Sequence, residues 1–175
     1  MNLQPTLQND LVVLKPLKAD DFEALYAVAS DPLIWAQHPA SNRYQRPVFE
    51  AFFKDAMDSK GAFLVFDKKT EKVIGSSRYN GFDATTQTIE IGWTFLAKEY
   101  WGGQYNQAMK ALMMNHAFTF VENILFVIGE NNIRSQKAVE KIGGKRIAED
   151  EYPLLQTKSV GSVIYKVKKR SWCIH

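Results

Sequence analysis

The sequence predicts an α/β domain with a mixed sheet, because strand-like and helix-like segments alternate along the whole chain. In the strand-like segments, apolar residues recur at every second position or form short continuous runs. In the helix-like segments, they recur at every third or fourth position. No repeat, linker or low-complexity tract divides the 175 residues, so we expect a single domain, residues 1–175. The expected order is β-α-α-β-β-β-α-β-α-β-β.

The N-terminal part predicts one strand and two helices. Residues 11–14 form an apolar run typical of a strand. Asp20 and Glu23 have the spacing of a capping box, which predicts a helix N-terminus, and the Asp31-Pro32 dipeptide ends that helix. A second helix is expected to begin near Pro47, because proline suits the first helical turn. Its apolar stripe comprises Phe49, Phe52, Phe53, Ala56 and Met57.

Three strands follow, at residues 62–66, 73–79 and 88–96, the first two being separated by a polar turn. The third has four apolar residues in alternating positions, which predicts that they share one face: Ile89, Ile91, Trp93 and Phe95. Glu90 is expected on the face opposite Ile89 and Ile91.

After a short loop at residues 97–103, a long helix is predicted from a stripe of apolar residues: Met109, Leu112, Met113, Ala117 and Phe120. The remaining elements are a strand at 124–128, a helix from about 134 to 142 that ends at Gly143-Gly144, and strands at 145–149 and 161–168.

Composition excludes several classes of protein. Hydrophobic residues make up 46% and aromatic residues 13%, which is unlike a disordered chain. The 22 Lys and Arg against 19 Asp and Glu give a net charge of only +3, so we expect no nucleic-acid partner. The basic residues Lys166, Lys168, Lys169 and Arg170 are interpreted as solvated side chains. The single cysteine, Cys173, allows no internal disulfide. With no signal or membrane-spanning pattern, a cytoplasmic location without a membrane partner is expected.

Two segments contain residues that could bind a ligand. In the first, the strand at 88–96 leads through Gly102 and Gly103 into a helix. Free N–H groups at a helix N-terminus, with the helix dipole, bind anions, although two glycines before a helix also make an ordinary tight turn. In the second segment, Asn132 and Ser135 begin the helix near residue 134; here an asparagine, Asn131 or Asn132, could be a plain helix cap.

In this order, the two segments resemble the GNAT superfamily of acetyltransferases, and most closely the branch of bacterial ribosomal-protein N-terminal acetyltransferases. The Trp101-Gly102-Gly103-Gln104-Tyr105-Asn106 segment occupies the place of the glycine loop of that family. The later pattern of the family is matched by Asn132, Ser135, Glu140-Lys141 and Gly143. The resemblance extends over nearly the whole chain.

This resemblance implies a GNAT fold: a mixed, mostly antiparallel sheet flanked by helices, with a V-shaped split between the strands at 88–96 and 124–128. It implies acetyl-CoA as the co-substrate. The pyrophosphate would be held by the main chain of Gly102, Gly103, Gln104, Tyr105 and Asn106. The pantetheine arm would pair with the main chain of Phe95 and Leu96, and Asn132 and Ser135 would contact the pantetheine or its thiol end.

Four positions depart from the family pattern. Gln104 stands where the family usually has glycine, and Asn106 where it has glycine or alanine. Gly144 replaces a usual aromatic residue. Val139 stands where many relatives have a tyrosine that acts as general acid.

The expected reaction is direct attack of a primary amine on the thioester. An amine with a pKa near 10 is neutral in only about one molecule in a thousand at pH 7, so a base is required. Glu90 is the candidate base, with a strand-face glutamate paired to a lysine as the alternative. Ser135 is the candidate donor to the departing sulfur, or simply a helix cap. His38, His116 and His175 show no metal-ligand spacing, and no metal is expected.

The sequence therefore predicts an N-acetyltransferase acting on a small-molecule amine or a protein N-terminus, as a monomer or homodimer. The alternative is a catalytically idle acyl-CoA binder that acts as a sensor or interaction module. The acceptor remains open. Its wall is expected to include residues from the N-terminal helical region: Trp35, His38, Arg43, Tyr44 and Arg46.

Overall fold

The computed structural model describes residues 2–148 and 161–172, which form one eight-stranded sheet with five α-helices. The strands are β1 (Leu7–Gln8), β2 (Val12–Pro16), β3 (Ala62–Asp67), β4 (Val73–Asp83), β5 (Thr88–Leu96), β6 (Asn123–Gly129), β7 (Lys145–Ile147) and β8 (Ser162–Lys168). The helices are α1 (Phe22–Ala29), α2 (Pro32–Trp35), α3 (Arg46–Asp58), α4 (Tyr105–Ala117) and α5 (Ile133–Lys141).

The strand order is β1-β2-β3-β4-β5-β6-β8-β7. Neighbouring strands are antiparallel except for β5 and β6, which are parallel. A parallel pair needs a crossover connection, and α4 provides it. The predicted mixed, mostly antiparallel sheet flanked by helices is confirmed.

Both faces of the sheet are covered, and β3 shows how the sequence achieves this. Phe63 and Val65 belong to the hydrophobic cluster that contains Met109 of α4. Ala62 and Leu64 belong to a second cluster, formed with α1 and α3 on the other face. Because successive side chains of a strand point to opposite faces, a continuous apolar run such as β3 supplies two cores at once.

The predicted elements are present in the described part of the chain, together with a further short strand and a further short α-helix. β1 has two residues and α2 has four, which is too short for a periodic pattern to reveal. Asp31 ends the first helical segment as predicted but also caps α2, because its Oδ1 accepts a hydrogen bond from the Leu33 N–H at 2.9 Å. Of the predicted strand at 145–149, Glu149 lies outside the described residues, as do Cys173 and His175.

The predicted capping box of Asp20 and Glu23 is wrong. Asp21 takes that role at the turn before α1, accepting a hydrogen bond from the Lys18 N–H at 2.8 Å. Glu23 instead receives two hydrogen bonds from the Arg46 guanidinium, at 2.8 and 2.7 Å. The distant ion pair therefore replaces the local cap.

The apolar stripe of α4 differs from its prediction at one end. Phe120 lies beyond the helix, which ends at Ala117, and its side chain is exposed. Lys110 and Met114 are buried on the helix instead. Among the residues described, no helix is long and apolar enough to cross a membrane.

Candidate active site

A V-shaped split opens between β5 and β6. The two strands pair only where Thr88, Ile89 and Glu90 face Asn123, Ile124 and Leu125. Beyond these pairs, β5 continues to Leu96 and β6 to Gly129 without pairing to each other. Glu90 is thus the last residue of β5 before the split and stands at its vertex.

A β-bulge shapes β5 within the split. Ser76 pairs with Phe95 and Arg78 with Gly92, so Ser77 alone faces two residues of β5, one of which is Trp93. Trp93 has a φ of +51°, in the left-handed region that non-glycine residues rarely adopt. Such an extra residue breaks the two-residue alternation of side chains.

The prediction that four aromatic and aliphatic residues share one face of β5 is therefore wrong. Ile89 and Ile91 lie in the cluster on the α4 side, whereas Trp93 and Phe95 lie in the cluster on the side of α1 and α3. The bulge turns the second pair to the other face. The buried Glu90 carboxylate also lies on the side of α1 and α3, where Gly92 leaves room for it: a Cβ on Gly92 would stand 3.3 Å from Glu90 Oε1.

The N-terminus of α4 lies just beyond the end of β5 and is open. No side chain caps it at Gln104, and the N–H groups of a first helical turn have no partner within the helix. Gly102 has a φ of +70°, and a Cβ on Gly102 or Gly103 would meet no atom within 4 Å. The loop is exposed up to Gln104. This arrangement fits the pyrophosphate of a coenzyme, which main-chain N–H groups and the helix dipole would hold.

The main-chain groups of Phe95 and Leu96 point to opposite sides of β5. The Phe95 carbonyl lies against β4, since a Cβ on Gly75 would stand 2.0 Å from its oxygen. Main-chain groups alternate along a strand, so those of Thr94 and Leu96 face the split. The Leu96 carbonyl there accepts a hydrogen bond from Trp101 Nε1 at 2.8 Å. The main-chain groups that face the split at this end of β5 are therefore those of Thr94 and the Leu96 N–H, whereas the Phe95 carbonyl faces β4.

Asn132 and Ser135 meet at the start of α5. Asn132 is buried and caps the helix, because its Oδ1 accepts a hydrogen bond from the Ser135 N–H at 3.2 Å. The prediction of Ser135 as a helix cap is wrong, since its main chain is the group being capped. Among the described residues the Ser135 hydroxyl makes no hydrogen bond, so it can still donate to a ligand.

Arg134 connects the two predicted segments, a contact that sequence patterns did not indicate. Its guanidinium carbon lies 3.9 Å from the centroid of the Trp101 ring, and its Nη2 donates to the Ile34 carbonyl at 2.9 Å. Burial lowers its pKa. Trp101 follows β5 and Arg134 follows β6, so their contact joins the two sides of the split at its open end.

Lys110 lies beneath the split on the α4 side and was also missed by sequence reasoning. Its Nζ stands 2.5 Å from Thr94 Oγ1 and 3.3 Å from Ser77 Oγ, and 5.4 Å from the Phe126 ring centroid. Only 4% of the residue is exposed, and burial lowers its pKa to about 7. No carboxylate of the described residues pairs with it, so it sits between the two diverging strands as a largely uncompensated amine.

The loop between α2 and α3 covers the other side of the split. Pro39 packs on the end of β6, where a Cβ on Gly129 would stand 2.7 Å from the proline ring. Burial, and then the charge of Arg43, lower the pKa of His38 to about 4, so the ring is neutral at physiological pH. Trp35 packs against Phe95 with ring centroids 4.9 Å apart.

Not all of the expected acceptor wall faces this region. Arg46 is turned away, toward Glu23 and the rings of Phe22 and Tyr26. Tyr44 is tied to α1, since its carbonyl accepts a hydrogen bond from the Tyr26 hydroxyl at 3.1 Å. Of the expected wall, Trp35 contacts Phe95 of β5, and His38 and Arg43 pack on the Trp35 ring.

The position of the missing tyrosine, Val139, is buried in the core on the α4 side. A Cβ on Gly144 would stand 2.3 Å from Val139 Cγ1, so glycine at 144 lets the chain lie directly on the valine. Val139 and Gly144 both depart from the family pattern, and the small glycine is what allows the chain to pack against the valine.

Comparison with known proteins agrees with this geometry. A family model described as acetyltransferase (GNAT) domain matches residues 12–145. No curated protein matches the chain. Several solved structures are similar. A GCN5-related N-acetyltransferase from Brucella melitensis has a TM-score of 0.77 and 21% identity, with 97% of this chain and 80% of that chain covered.

Two further structures share the fold. A GNAT-family acetyltransferase from Bacillus anthracis has a TM-score of 0.71 and 16% identity, covering 95% of this chain and 99% of its own. Mycobacterium smegmatis RimJ, solved in complex with CoA-disulfide, has a TM-score of 0.70 and 15% identity, covering 95% and 87%. At such identities the similarity establishes the fold and no more.

Proposed function

Because the chain belongs to the GNAT acetyltransferase domain family, we propose that it transfers acetyl from acetyl-CoA to a primary amine by direct attack. The observation that carries the proposal is the split between β5 and β6, with a buried carboxylate at its vertex and an uncapped helix N-terminus beyond its wall. The vertex of the split suits the reacting groups, and the N-terminus of α4 suits a pyrophosphate. A single extended thioester such as acetyl-CoA can therefore reach both places.

In this proposal, each residue of the site has one role in the reaction. Glu90 accepts a proton from the acceptor ammonium, which leaves a neutral amine to attack the thioester carbonyl. A main-chain N–H of β5 beside the split, with Thr94 as the nearest candidate, stabilises the oxyanion. Attack forms the C–N bond and a tetrahedral oxyanion, whose collapse breaks the C–S bond. The nitrogen loses its second proton to the departing thiolate, directly or through water, and Ser135 Oγ donates a hydrogen bond to the departing sulfur.

Gln104, Tyr105 and Asn106 contribute main-chain N–H groups to the pyrophosphate, with Gly102 and Gly103 giving the loop its shape. Asn132 acts indirectly in this proposal, since it fixes the first turn of α5 and thereby the position of Ser135. The acceptor can be a small molecule or a protein N-terminus.

The test is an assay of free-thiol release from acetyl-CoA with a panel of primary amines, for the parent and for Glu90→Gln. Loss of the base should lower turnover by roughly 10²–10⁴-fold while coenzyme binding is retained. Glu71→Gln, in the exposed turn between β3 and β4, is the matched control and should behave like the parent. Unchanged turnover of Glu90→Gln across pH would remove Glu90 from the mechanism.

An acyl-CoA binder without turnover is the second candidate. It is favoured by Val139, which has no acidic hydrogen to give to a leaving thiolate. Binding of acetyl-CoA without thiol release for any amine would support this candidate over the first. A thiolate leaves readily, since the pKa of a free thiol is near 8.5. The absence of the tyrosine is therefore compatible with acetyl transfer.

A further inference from the structure

Arg78 of β4 is a buried arginine in the region where an acceptor would bind. Its side chain is 3% exposed and stacks on the Trp93 ring, with the guanidinium carbon 4.5 Å from the centroid. Its Nη1 donates to Asp55 Oδ2 at 2.6 Å. The Asp55 side chain is itself 66% exposed, so water screens this ion pair.

Among the residues that the structure describes, two of the three guanidinium nitrogens of Arg78 have no hydrogen-bond partner. Nε and Nη2 are buried without a hydrogen bond to any described residue. Buried polar groups are nearly always hydrogen-bonded, and an unpaired donor on a charged group costs more than a neutral one. The two nitrogens form one edge of the planar guanidinium, the edge that binds a carboxylate through two parallel hydrogen bonds.

A second arginine lies in the same region. Arg43 is half-buried on the loop between α2 and α3, and both guanidinium groups pack on the Phe52 ring, at 4.7 Å for Arg43 and 5.6 Å for Arg78. Burial, and then the like charge of Arg78, lower the pKa of Arg43 to about 10, against an opposing effect of Asp55. Two desolvated cations thus lie close together near the exposed Asp55 carboxylate, and an anion bound between them would stabilise the pair.

The sheet register places this cationic pair near the candidate base. Arg78 pairs with Gly92, and Glu90 is two residues from Gly92 on the same face. Arg78 and Glu90 are therefore diagonal neighbours across the ladder, and diagonal neighbours on one face lie roughly 7–8 Å apart, within reach of long side chains. An amine at Glu90 and an anionic group at Arg78 can belong to one small molecule or to one N-terminal residue.

We propose that the acceptor amine carries a carboxylate, which binds to the free edge of Arg78 and to Arg43. This inference rests on the proposed function and narrows its substrate class. Arg43 is the more accessible of the two, so the carboxylate enters on its side. The carboxylate can come from a free amino acid or from an acidic side chain at a protein N-terminus.

The first arm of the test compares amino acids with their C-terminal amides in the thiol-release assay. A carboxylate raises the pKa of the neighbouring amine, so intrinsic reactivity alone favours the amide. A preference for the acid therefore reports recognition of the carboxylate. The second arm compares peptides that begin with Asp and with Asn, which separates the two sources.

Three variants identify the residues that cause the preference for an acceptor with a carboxylate. In the parent, kcat/KM should favour the carboxylate by about tenfold to a hundredfold, as expected for hydrogen bonds between charged groups. Arg43→Met and Arg78→Met should each lower this ratio below about threefold, because each removes a group that binds the carboxylate. Arg46→Met is the control, since Arg46 is exposed and paired with Glu23, and should keep the parental ratio.

The outcomes distinguish a failure of the carboxylate inference from a failure of the proposed acetyl transfer. Equal rates for acidic and neutral acceptors, or an unchanged ratio in both Arg43→Met and Arg78→Met, would overturn the carboxylate inference alone. No thiol release with any amine would overturn the proposed transfer and this inference with it. Circular dichroism and acetyl-CoA binding of each variant establish that the comparison is made between folded proteins.

Discussion

Replacing Lys110 by methionine should remove a large, pH-dependent destabilisation. The folded protein holds the pKa of Lys110 at about 7, against a usual 10.5 in an unfolded chain. Each pKa unit corresponds to about 1.4 kcal/mol, so below pH 7 the buried amine lowers the free energy of unfolding by about 5 kcal/mol. This is an upper value, because water penetration relaxes buried charges.

The sign of the pH dependence follows from proton binding. Between pH 7 and 10.5, the unfolded chain binds a proton at Lys110 that the folded chain does not, so stability rises with pH by up to about 1.4 kcal/mol per unit. Lys110→Met lacks this dependence. It should also be several kcal/mol more stable at pH 7, because methionine has similar length and the Ser77 and Thr94 hydroxyls still bond each other at 2.8 Å.

The assay is urea denaturation of both proteins at pH 7, 8 and 9, without ligand. The difference between parent and variant cancels the other titrating groups, and Lys137→Met, on the exposed side of α5, serves as the control. The variant should have its greatest advantage at pH 7 and lose about half of it by pH 9. Parallel pH dependences, or a variant less stable at pH 7, would refute the argument.

Two further predictions concern the coenzyme. Acetyl-CoA should raise the melting temperature, because a ligand that binds only the folded state stabilises it by mass action; no change in a thermal-denaturation scan at millimolar ligand would contradict the assigned site. Gln104→Gly should change coenzyme affinity in a titration by less than about tenfold, whereas Gln104→Pro removes an N–H donor and should weaken it more. Equal effects of both substitutions would mean that the Gln104 N–H does not contact the coenzyme.

The sequence contained enough to predict most of the fold but not the direction of side chains within the split. The types of the longer elements followed from periodicity, because each buries one apolar face. The bulge at Trp93 did not, since it depends on how β5 pairs with Ser77 of another strand. One extra residue then moved Trp93 and Phe95 to the opposite face.

The buried cations were missed for a related reason. Lys110 follows Met109 in the helix and looks like a solvated residue until Thr94 and Ser77 are brought against it. Arg78 stands in the middle of a strand, and its partner Asp55 is on a helix earlier in the chain. No local pattern marks either residue, because burial of a charge depends on tertiary neighbours. The glycine loop at 101–106 and the helix start at Asn132 were recognisable, because consecutive residues of the sequence define each of them.

The short pairing between β5 and β6 gives this sheet two edges inside the molecule. Unpaired strand edges on a protein surface attract other strands and promote aggregation. Here the edges face each other, with α4 on one side and the aromatic cluster of α1 and α3 on the other. The contact of Trp101 with Arg134 lies at the open end. These neighbours shield both edges from a flat strand of another protein, while the unpaired main-chain groups between β5 and β6 remain available for hydrogen bonds within the split.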